Sequence, residues 1–430
     1  MEKFVYPDLG ETVFRETLPN GLPIVVISRP GFTKKLAYLA VDFGSIHTKF
    51  TLDGEPFTVP DGIAHFLEHK MFDLPGRDVP AEFAALGASP NAFTGYDMTA
   101  YYFSCTEHFA ESLALLLEFV STPYFTKESV DKEQGIIGQE IDMYADDEHS
   151  RRFERLMQAM YENHPINTSI AGTRETIANI TPEQLYACHK AFYRPGNMFL
   201  CVIGDVDPEQ VKEIALKKLP ERDDTRVTRV DSWPEKPQPL EKEVVLPTDN
   251  TLTIFHLAFK SECPEKGEAA VHRETVGDLA AEALYGESSR LYQWLYEQEG
   301  LINSTFGGGF ETVEGMAMLT ASGDSHDPAA VRDAILEEAQ RILKEGIDEA
   351  DFMRMKRSAL GHRVRELDSF NSTIYRACAY YFSDYDYFNF PQVYEKVTRE
   401  EVLDFLRETV MEERCSLVIT TPEDKKEETK

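Results

Sequence analysis

Thr181-Pro-Glu-Gln-Leu185 opens the stretch that decides the fold, and it continues through Arg194-Pro-Gly-Asn197 into the apolar run Met198-Phe-Leu-Cys-Val-Ile203. The threonine is placed as a helix N-cap, with proline at the first helical position and glutamine three residues after the cap. The same order of capped helix, turn and strand returns near the other end of the chain, at Thr398-Arg-Glu-Glu-Val402 and Cys415-Ser-Leu-Val-Ile-Thr420. A repeat of this length predicts two duplicated domains and not a solenoid.

A polar, proline-rich stretch separates the two copies. It runs from Asp231 to Leu240, and its composition is typical of a semi-rigid linker. We therefore predict a first domain over residues 1–225, a linker over 226–245, and a second, duplicated domain over 246–430.

Each half of the chain mixes strand patterns with helix patterns. Apolar runs bounded by turn residues predict strands, and apolar residues at helical spacing predict helices. The predicted strands are Leu22–Ser28, Leu36–Asp42 and Leu252–Phe259, and the predicted helices are Phe109–Phe119, Lys132–Met143, 267–285 and 328–344. The mixture predicts an α+β protein with two homologous α/β sandwich domains, each a mixed sheet with helices packed on it.

Composition excludes several classes of function. The 430 residues carry a formal net charge of −31, which excludes a nucleic-acid binder and disfavours anionic membrane surfaces. No apolar run is long enough to cross a bilayer, and the start of the sequence lacks a signal-peptide pattern, so we expect a cytoplasmic protein. The six cysteines are scattered without a close pair, which indicates reduced, mostly buried thiols and no cysteine-based zinc site.

The segment Ile63-Ala-His-Phe-Leu-Glu-His-Lys-Met-Phe72 carries the chemistry of the chain. His65 and His69 are one helical turn apart, so both imidazoles can reach one metal ion. Glu68 lies beside them on the same helix face, where it can hold a water at the metal without binding the metal itself. This order of residues is the inverted form of the zinc-peptidase motif. For a motif this short, a structural or surface pair of histidines is the alternative reading.

A catalytic zinc site needs a third protein ligand, which the motif does not supply. The segment from Glu133 to Glu140 offers two carboxylates that are two helical turns apart and therefore lie on one face. Spacing alone leaves either glutamate as the candidate.

Further segments match the pattern of a single family: Thr17–Leu22, Gly44–Ser45, Gly87–Thr94, Thr99–Phe103, Tyr193–Met198 and Gly204–Asp207. With the metal motif, they extend over nearly the whole chain. On these residues the chain resembles the insulinase, pitrilysin and mitochondrial processing peptidase family, and most of all its bacterial half-length members.

The resemblance implies the cofactor and the roles of the site residues. The cofactor would be Zn²⁺, with His65, His69 and Glu140 as its ligands. Glu68 would be the general base, and Glu133 a supporting acidic residue of the catalytic site. The chain would form half of the clam-shell chamber in which family members enclose a peptide.

The resemblance also implies a substrate-binding strand over Ala88 to Phe93. Asn91 and Ala92 fall where family members contact the peptide, and Ala88 and Phe93 flank them. An extended peptide that adds to the edge of a sheet is an established recognition mode. Pro90 suits an edge strand better than a central one, although Asn91 on its own is also a common turn residue.

The chain departs from the family pattern in its second half. Active members carry an arginine and a tyrosine there that hold and polarise the substrate, but the matching positions are Tyr296 and Asn303. Arg290 falls at another position and is expected to be structural. We therefore expect a dimer with a paralogous subunit that supplies the missing pair. A homodimer is disfavoured because it would contain two zinc sites and no such pair.

Three functions compete at this stage. The first is a zinc metalloendopeptidase that cleaves peptides or a small precursor, with Glu68 as general base. The second is a zinc-binding assembly or regulatory subunit that cuts nothing on its own, in a peptide-maturation or translation-factor modification pathway. The third is a different zinc hydrolase, which the peptide-binding strand disfavours.

Overall fold

The computed structural model describes residues 1–219, 224–230, 232–249, 251–263 and 266–422. The chain divides into two compact units. The first comprises Met1–Asp142, Ser169–Asp231 and Val364–Phe388, and the second comprises Met143–Thr168, Ser232–Arg363 and Asn389–Lys430. The passage between units at residues 231–232 falls inside the predicted linker. Residues 143–168 belong to the second unit and residues 364–388 to the first, which a division of the chain at one linker did not predict.

Both units contain strands and helices. The strands are β1 (Glu2–Tyr6), β2 (Glu11–Thr17), β3 (Pro23–Ser28), β4 (Lys35–Val41), β5 (Lys49–Leu52), β6 (Glu55–Thr58), β7 (Asp73–Leu74), β8 (Arg77–Asp78), β9 (Ser89–Thr94), β10 (Thr99–Cys105), β11 (Met198–Gly204), β12 (Val227–Arg229), β13 (Glu243–Thr248), β14 (Ile254–Lys260), β15 (Gly307–Val313), β16 (Met316–Asp324) and β17 (Cys415–Pro422). The α-helices are α1 (Ile63–Met71), α2 (Val79–Ala85), α3 (Phe109–Val120), α4 (Lys127–Asp146), α5 (Glu148–Met160), α6 (Arg174–Ile177), α7 (Pro182–Phe192), α8 (Pro208–Lys218), α9 (Glu268–Tyr285), α10 (Arg290–Gln293), α11 (Pro328–Glu345), α12 (Glu349–Glu366), α13 (Phe370–Phe382), α14 (Phe390–Lys396) and α15 (Arg399–Thr409). Within the described ranges, no helix is both long enough and apolar enough to cross a membrane.

The first unit is built on a seven-stranded sheet with the order β1-β2-β3-β11-β4-β10-β9. The sheet is mixed, because β11 runs parallel to β3 and antiparallel to β4. Every residue of β11 is buried, as expected for a strand covered on both faces. At one edge of the sheet lies β9, whose neighbour is β10.

The second unit repeats this arrangement in a five-stranded sheet with the order β13-β17-β14-β16-β15. Its β17 runs parallel to β13 and antiparallel to β14, the same relations that β11 has to β3 and β4. The prediction of two homologous α+β domains with helices packed on mixed sheets is therefore confirmed.

The helix starts that indicated the duplication are present in both units. The side chains of Thr181 and Thr398 each accept a hydrogen bond from the backbone N–H three residues later, and the side chains of Gln184 and Glu401 each accept one from the backbone N–H of the cap residue. Helix α4 is longer than the predicted Lys132–Met143. Its first turn is closed by polar side chains, with Thr126 and Ser129 bonding each other's backbone N–H, so apolar spacing alone misses it.

Helix α13 comes from the second half of the sequence but packs in the first unit. Tyr381 stacks on Phe199 of β11, with ring centroids 4.2 Å apart. Just after the helix, Asp386 accepts hydrogen bonds from the Tyr6 hydroxyl at 2.7 Å and from Nη1 of Arg15 at 2.9 Å. These contacts hold α13 against one face of the seven-stranded sheet.

A buried histidine makes the stability of the protein depend on pH. The ring of His189 in α7 donates a hydrogen bond from Nε2 to the Val120 carbonyl at 3.1 Å, and burial lowers its pKa to about 4. The unfolded chain protonates this ring below about pH 6.5, whereas the folded protein keeps it neutral. The stabilisation is therefore complete above about pH 6.5 and is lost as the pH falls toward 4, by about 3 kcal/mol.

Urea unfolding at about pH 7.5 and about pH 4.5 measures this effect. We expect His189→Gln to lose part of the pH dependence of the unfolding free energy. His326→Gln alters an exposed histidine and should keep the wild-type dependence. An unchanged pH dependence in His189→Gln would contradict the assignment.

Candidate metal centre

Helix α1 carries the inverted motif and is held firmly in the first unit. It begins after Gly62, whose φ of 89° favours glycine, and a Cβ there would lie 2.5 Å from the Ala171 carbonyl oxygen. Ile63, Phe66 and Leu67 are buried in the core. This packing sets the orientation of the motif side chains.

Three side chains from α1 and α4 converge. Nε2 of His65 lies 3.6 Å from Oε1 of Glu140, and Nε2 of His69 lies 3.5 Å from Oε2 of the same carboxylate. The three ligand atoms all lie within 4.8 Å of one another. A tetrahedral zinc ion about 2.1 Å from each ligand requires separations of about 3.4 Å, so this donor set fits zinc. Among the residues that the structure describes, no other such group comes as close together.

The geometry distinguishes the two candidate glutamates. Oε1 of Glu133 lies 3.1 Å from Nδ1 of His69, on the side of the ring away from the converging ligand atoms. Nδ1–H therefore donates to Glu133, which leaves Nε2 facing the other two candidate ligands. Burial lowers the pKa of His69, but the bond to Glu133 and the nearby carboxylates raise it overall.

Lys70 adds a charge that the sequence did not point to. Its side chain is almost fully buried, and Nζ lies 2.6 Å from Asp73 and 3.8 Å from Oε2 of Glu133. The ammonium group thus attracts the Glu133 carboxylate and helps to orient it toward His69. No motif signalled this residue, because the contact joins α1 to α4.

Glu133→Gln is expected to weaken zinc binding by about 10- to 100-fold, because the amide supports the tautomer and basicity of His69 less well than the carboxylate. Competition with a zinc-binding dye gives the affinity. Glu128→Gln, on the exposed first turn of the same helix, is the matched control. Equal affinities in the two variants would show that Glu133 does not support the site.

Glu68 is placed beside the ligand cluster without being part of it. Burial raises the pKa of its carboxyl group, and Oε2 accepts a hydrogen bond from the Thr94 hydroxyl at 2.6 Å. Thr94 belongs to β9, so one hydrogen bond joins the motif helix to the edge strand. The sequence predicted no role for Thr94, which follows the predicted substrate strand directly and ends the family-matching segment Gly87–Thr94.

The structure places the predicted substrate residues unequally. Asn91, Ala92 and Phe93 lie on β9, and Oδ1 of Asn91 accepts a hydrogen bond from the Ala92 N–H at 2.9 Å. Ala88 precedes the strand, is buried, and donates its N–H to the Phe83 carbonyl at 2.9 Å. Ala88 is therefore not brought to the open edge.

The positions of the absent arginine–tyrosine pair lie in the second unit. Tyr296 is exposed, and its ring stacks on Tyr292 at 5.8 Å. The side-chain amide of Asn303 donates to Asp324 at 2.8 Å. Tyr296 therefore supplies no guanidinium group at the arginine position, and Asn303 supplies no phenol at the tyrosine position.

Comparison with known proteins agrees with this fold and motif. The family described as insulinase (peptidase family M16) matches residues 37–174, and the peptidase M16 inactive domain matches residues 179–359. Together, fold and motif define a two-domain protein of the inverted zinc-peptidase class. The chain is 36% identical to the uncharacterized zinc protease YmfH of Bacillus subtilis, over 97% of this chain and 98% of YmfH. It therefore belongs to the insulinase family, peptidase family M16.

Solved structures show the same architecture. An M16-like peptidase from Alicyclobacillus acidocaldarius has a TM-score of 0.91 and 31% identity, over 96% of this chain and 98% of that one. The periplasmic protease PqqL of Escherichia coli has a TM-score of 0.74 and 19% identity, which shows the fold alone. The likeness covers 95% of this chain but 47% of PqqL.

Proposed function

We propose that this chain is the zinc-bearing subunit of a metallopeptidase that cleaves peptides or a small precursor, with Glu68 as general base. One observation carries the proposal: a buried carboxylate lies beside a three-ligand cluster and is hydrogen-bonded to the edge strand next to it. The name of YmfH as a zinc protease supports the choice of metal.

The residues of the site divide the reaction among them. His65, His69 and Glu140 would hold the zinc ion, whose Lewis acidity would make water nucleophilic near neutral pH. Glu68, which burial makes more basic, removes the proton from the attacking water and can return it to the leaving amine. Thr94 keeps the Glu68 carboxylate in position, and the open edge of β9 can hold the peptide in an extended conformation.

A second chain would complete the catalytic chamber. Tyr296 and Asn303 stand where active family members carry arginine and tyrosine. We infer that a paralogous half-length subunit supplies the missing pair, and that a homodimer would not.

Adding the paralogous subunit to the zinc-loaded chain is expected to raise kcat/KM for peptide hydrolysis by about 100-fold or more, the usual effect of a donor that stabilises the transition state. A quenched fluorescent peptide pool gives the rate, and light scattering shows whether a complex forms. A partner preparation whose arginine is changed to alanine is the control. If the complex forms without any gain in rate, the proposed role of the partner is wrong.

The absent pair also supports a second candidate, a zinc-binding assembly subunit without cleavage of its own. Zinc bound stoichiometrically, with no new peptide termini detected by mass spectrometry in the presence of the partner, would favour this alternative. Cleavage in H₂¹⁸O that places one ¹⁸O in each new carboxylate would favour the peptidase.

A further inference from the structure

A groove lies beside β9 on the face of the sheet opposite to the metal centre. Its volume is about 460 Å³, and its lining belongs to the first unit. Aromatic side chains form its walls, from Tyr38 on β4, Phe93 on β9 and Tyr375 on α13. The metal-centre residues do not line it.

Two neighbouring residues show that β9 presents side chains to both faces of the sheet. The Thr94 hydroxyl reaches Glu68 on the metal side. The Phe93 ring points the other way and lies 5.7 Å from the ring of Tyr375 and 6.3 Å from that of Tyr38. This alternation is the ordinary period of a strand, so the groove and the metal centre flank one edge strand.

The backbone of β9 has groups that face the open edge. Along an edge strand, the backbone N–H groups point alternately toward the neighbouring strand and toward the open edge. Pro90, which has no N–H, lies at a position of the second kind, and so do Ala92 and Thr94. The hairpin that joins β9 to β10 agrees with this alternation. The Gly95 N–H donates to the Met98 carbonyl at 2.7 Å, so the N–H of the preceding residue, Thr94, points away from β10. The N–H of Ala92 is capped by the Asn91 side chain, so a peptide pairing there would take over that hydrogen bond.

From this arrangement we propose that the groove is a side-chain subsite, and that it selects peptides with a large apolar, preferably aromatic, residue at a fixed position. The inference rests on the proposed peptidase function and extends it to a substrate class. A peptide added to β9 continues the alternation of the strand. Each residue that faces the metal centre is therefore flanked by residues whose side chains enter the groove.

The lining explains the preference for apolar side chains. Tyr38 is buried and stacks on Tyr102 at 4.4 Å, which gives the groove a rigid aromatic floor. At the rim, Nε of Arg376 donates to Glu366 at 2.7 Å, so the two charges offset each other. An aromatic residue gains contact with these rings, whereas a charged residue would lose water without a dedicated counter-charge.

Photo-crosslinking tests the geometry without requiring hydrolysis. Full-length, zinc-loaded Glu68→Gln is mixed with peptides that carry benzoylphenylalanine at successive positions. We expect crosslinks to Phe93 or residues 371–376 from alternate peptide positions, and crosslinks to the metal side from the positions between. Crosslinks to the groove from no position, or from every position equally, would overturn the subsite.

Affinity measurements on the same Glu68→Gln background test the preference. Tyr375→Ala is expected to weaken binding of a phenylalanine-containing peptide by about 3- to 10-fold, and binding of its alanine counterpart hardly at all. Tyr381→Ala, on the same helix but stacked on Phe199 outside the groove, is the matched control. Equal losses for both peptides would overturn the proposal. If the wild-type chain hydrolysed no peptide but the crosslinks and the selective binding were observed, the subsite would be supported and the proposed peptidase function would be wrong.

Discussion

Glu68→Gln is expected to lower kcat for peptide hydrolysis by about 10²- to 10⁴-fold, the usual contribution of a general base. Zinc should remain bound, because Glu68 contributes no atom to the ligand cluster. The glutamine side chain has almost the same size, and its oxygen can still accept the hydrogen bond from Thr94. What it loses is the ability to take a proton.

The informative measurement is kcat and zinc content on one preparation, with Glu128→Gln as a surface control. Thr94→Ser keeps the hydroxyl and should stay near the wild-type rate, whereas Thr94→Val removes it and should lower kcat more than it changes KM. Loss of zinc from Glu68→Gln would indicate a structural role. Near wild-type turnover would rule out Glu68 as the base.

Glu140→Gln and His65→Ala should have the largest effects on the metal. His65→Ala removes one of the three converging ligand atoms, and Glu140→Gln replaces an anionic carboxylate with a neutral amide, so we expect zinc affinity to fall by more than about 100-fold, beyond the loss typical of an outer supporting residue. Dye competition and metal analysis after dialysis measure the change. If Glu140→Gln still bound zinc tightly and Glu133→Gln lost it, Glu133 would be the ligand and Glu140 the supporting residue.

The motif helix was predictable because its spacing is local. Residues four apart on a helix must share a face, so His65 and His69 could be paired from sequence. Local spacing could not separate Glu133 from Glu140, since both lie on the same face of α4. The distinction depends on which nitrogen of His69 faces which carboxylate, and only the packing of α1 against α4 determines that.

The duplicated fold was also predictable, because capping boxes and buried strands leave local marks around Thr181 and Thr398. No local sequence pattern predicted where α13 packs. Its contact with Phe199 joins segments distant in sequence, and the exchange of residues 364–388 between the units follows from that packing. The groove beside β9 could not be predicted from the sequence for the same reason.

Zinc titration of the metal-free chain together with its paralogous subunit, with hydrolysis of a mixed-sequence peptide pool as the readout, tests the central claim most directly. We expect activity to rise in proportion to bound zinc and to be absent from Glu68→Gln at the same zinc occupancy. Cleavage that is independent of zinc, or equal in Glu68→Gln, would contradict the account.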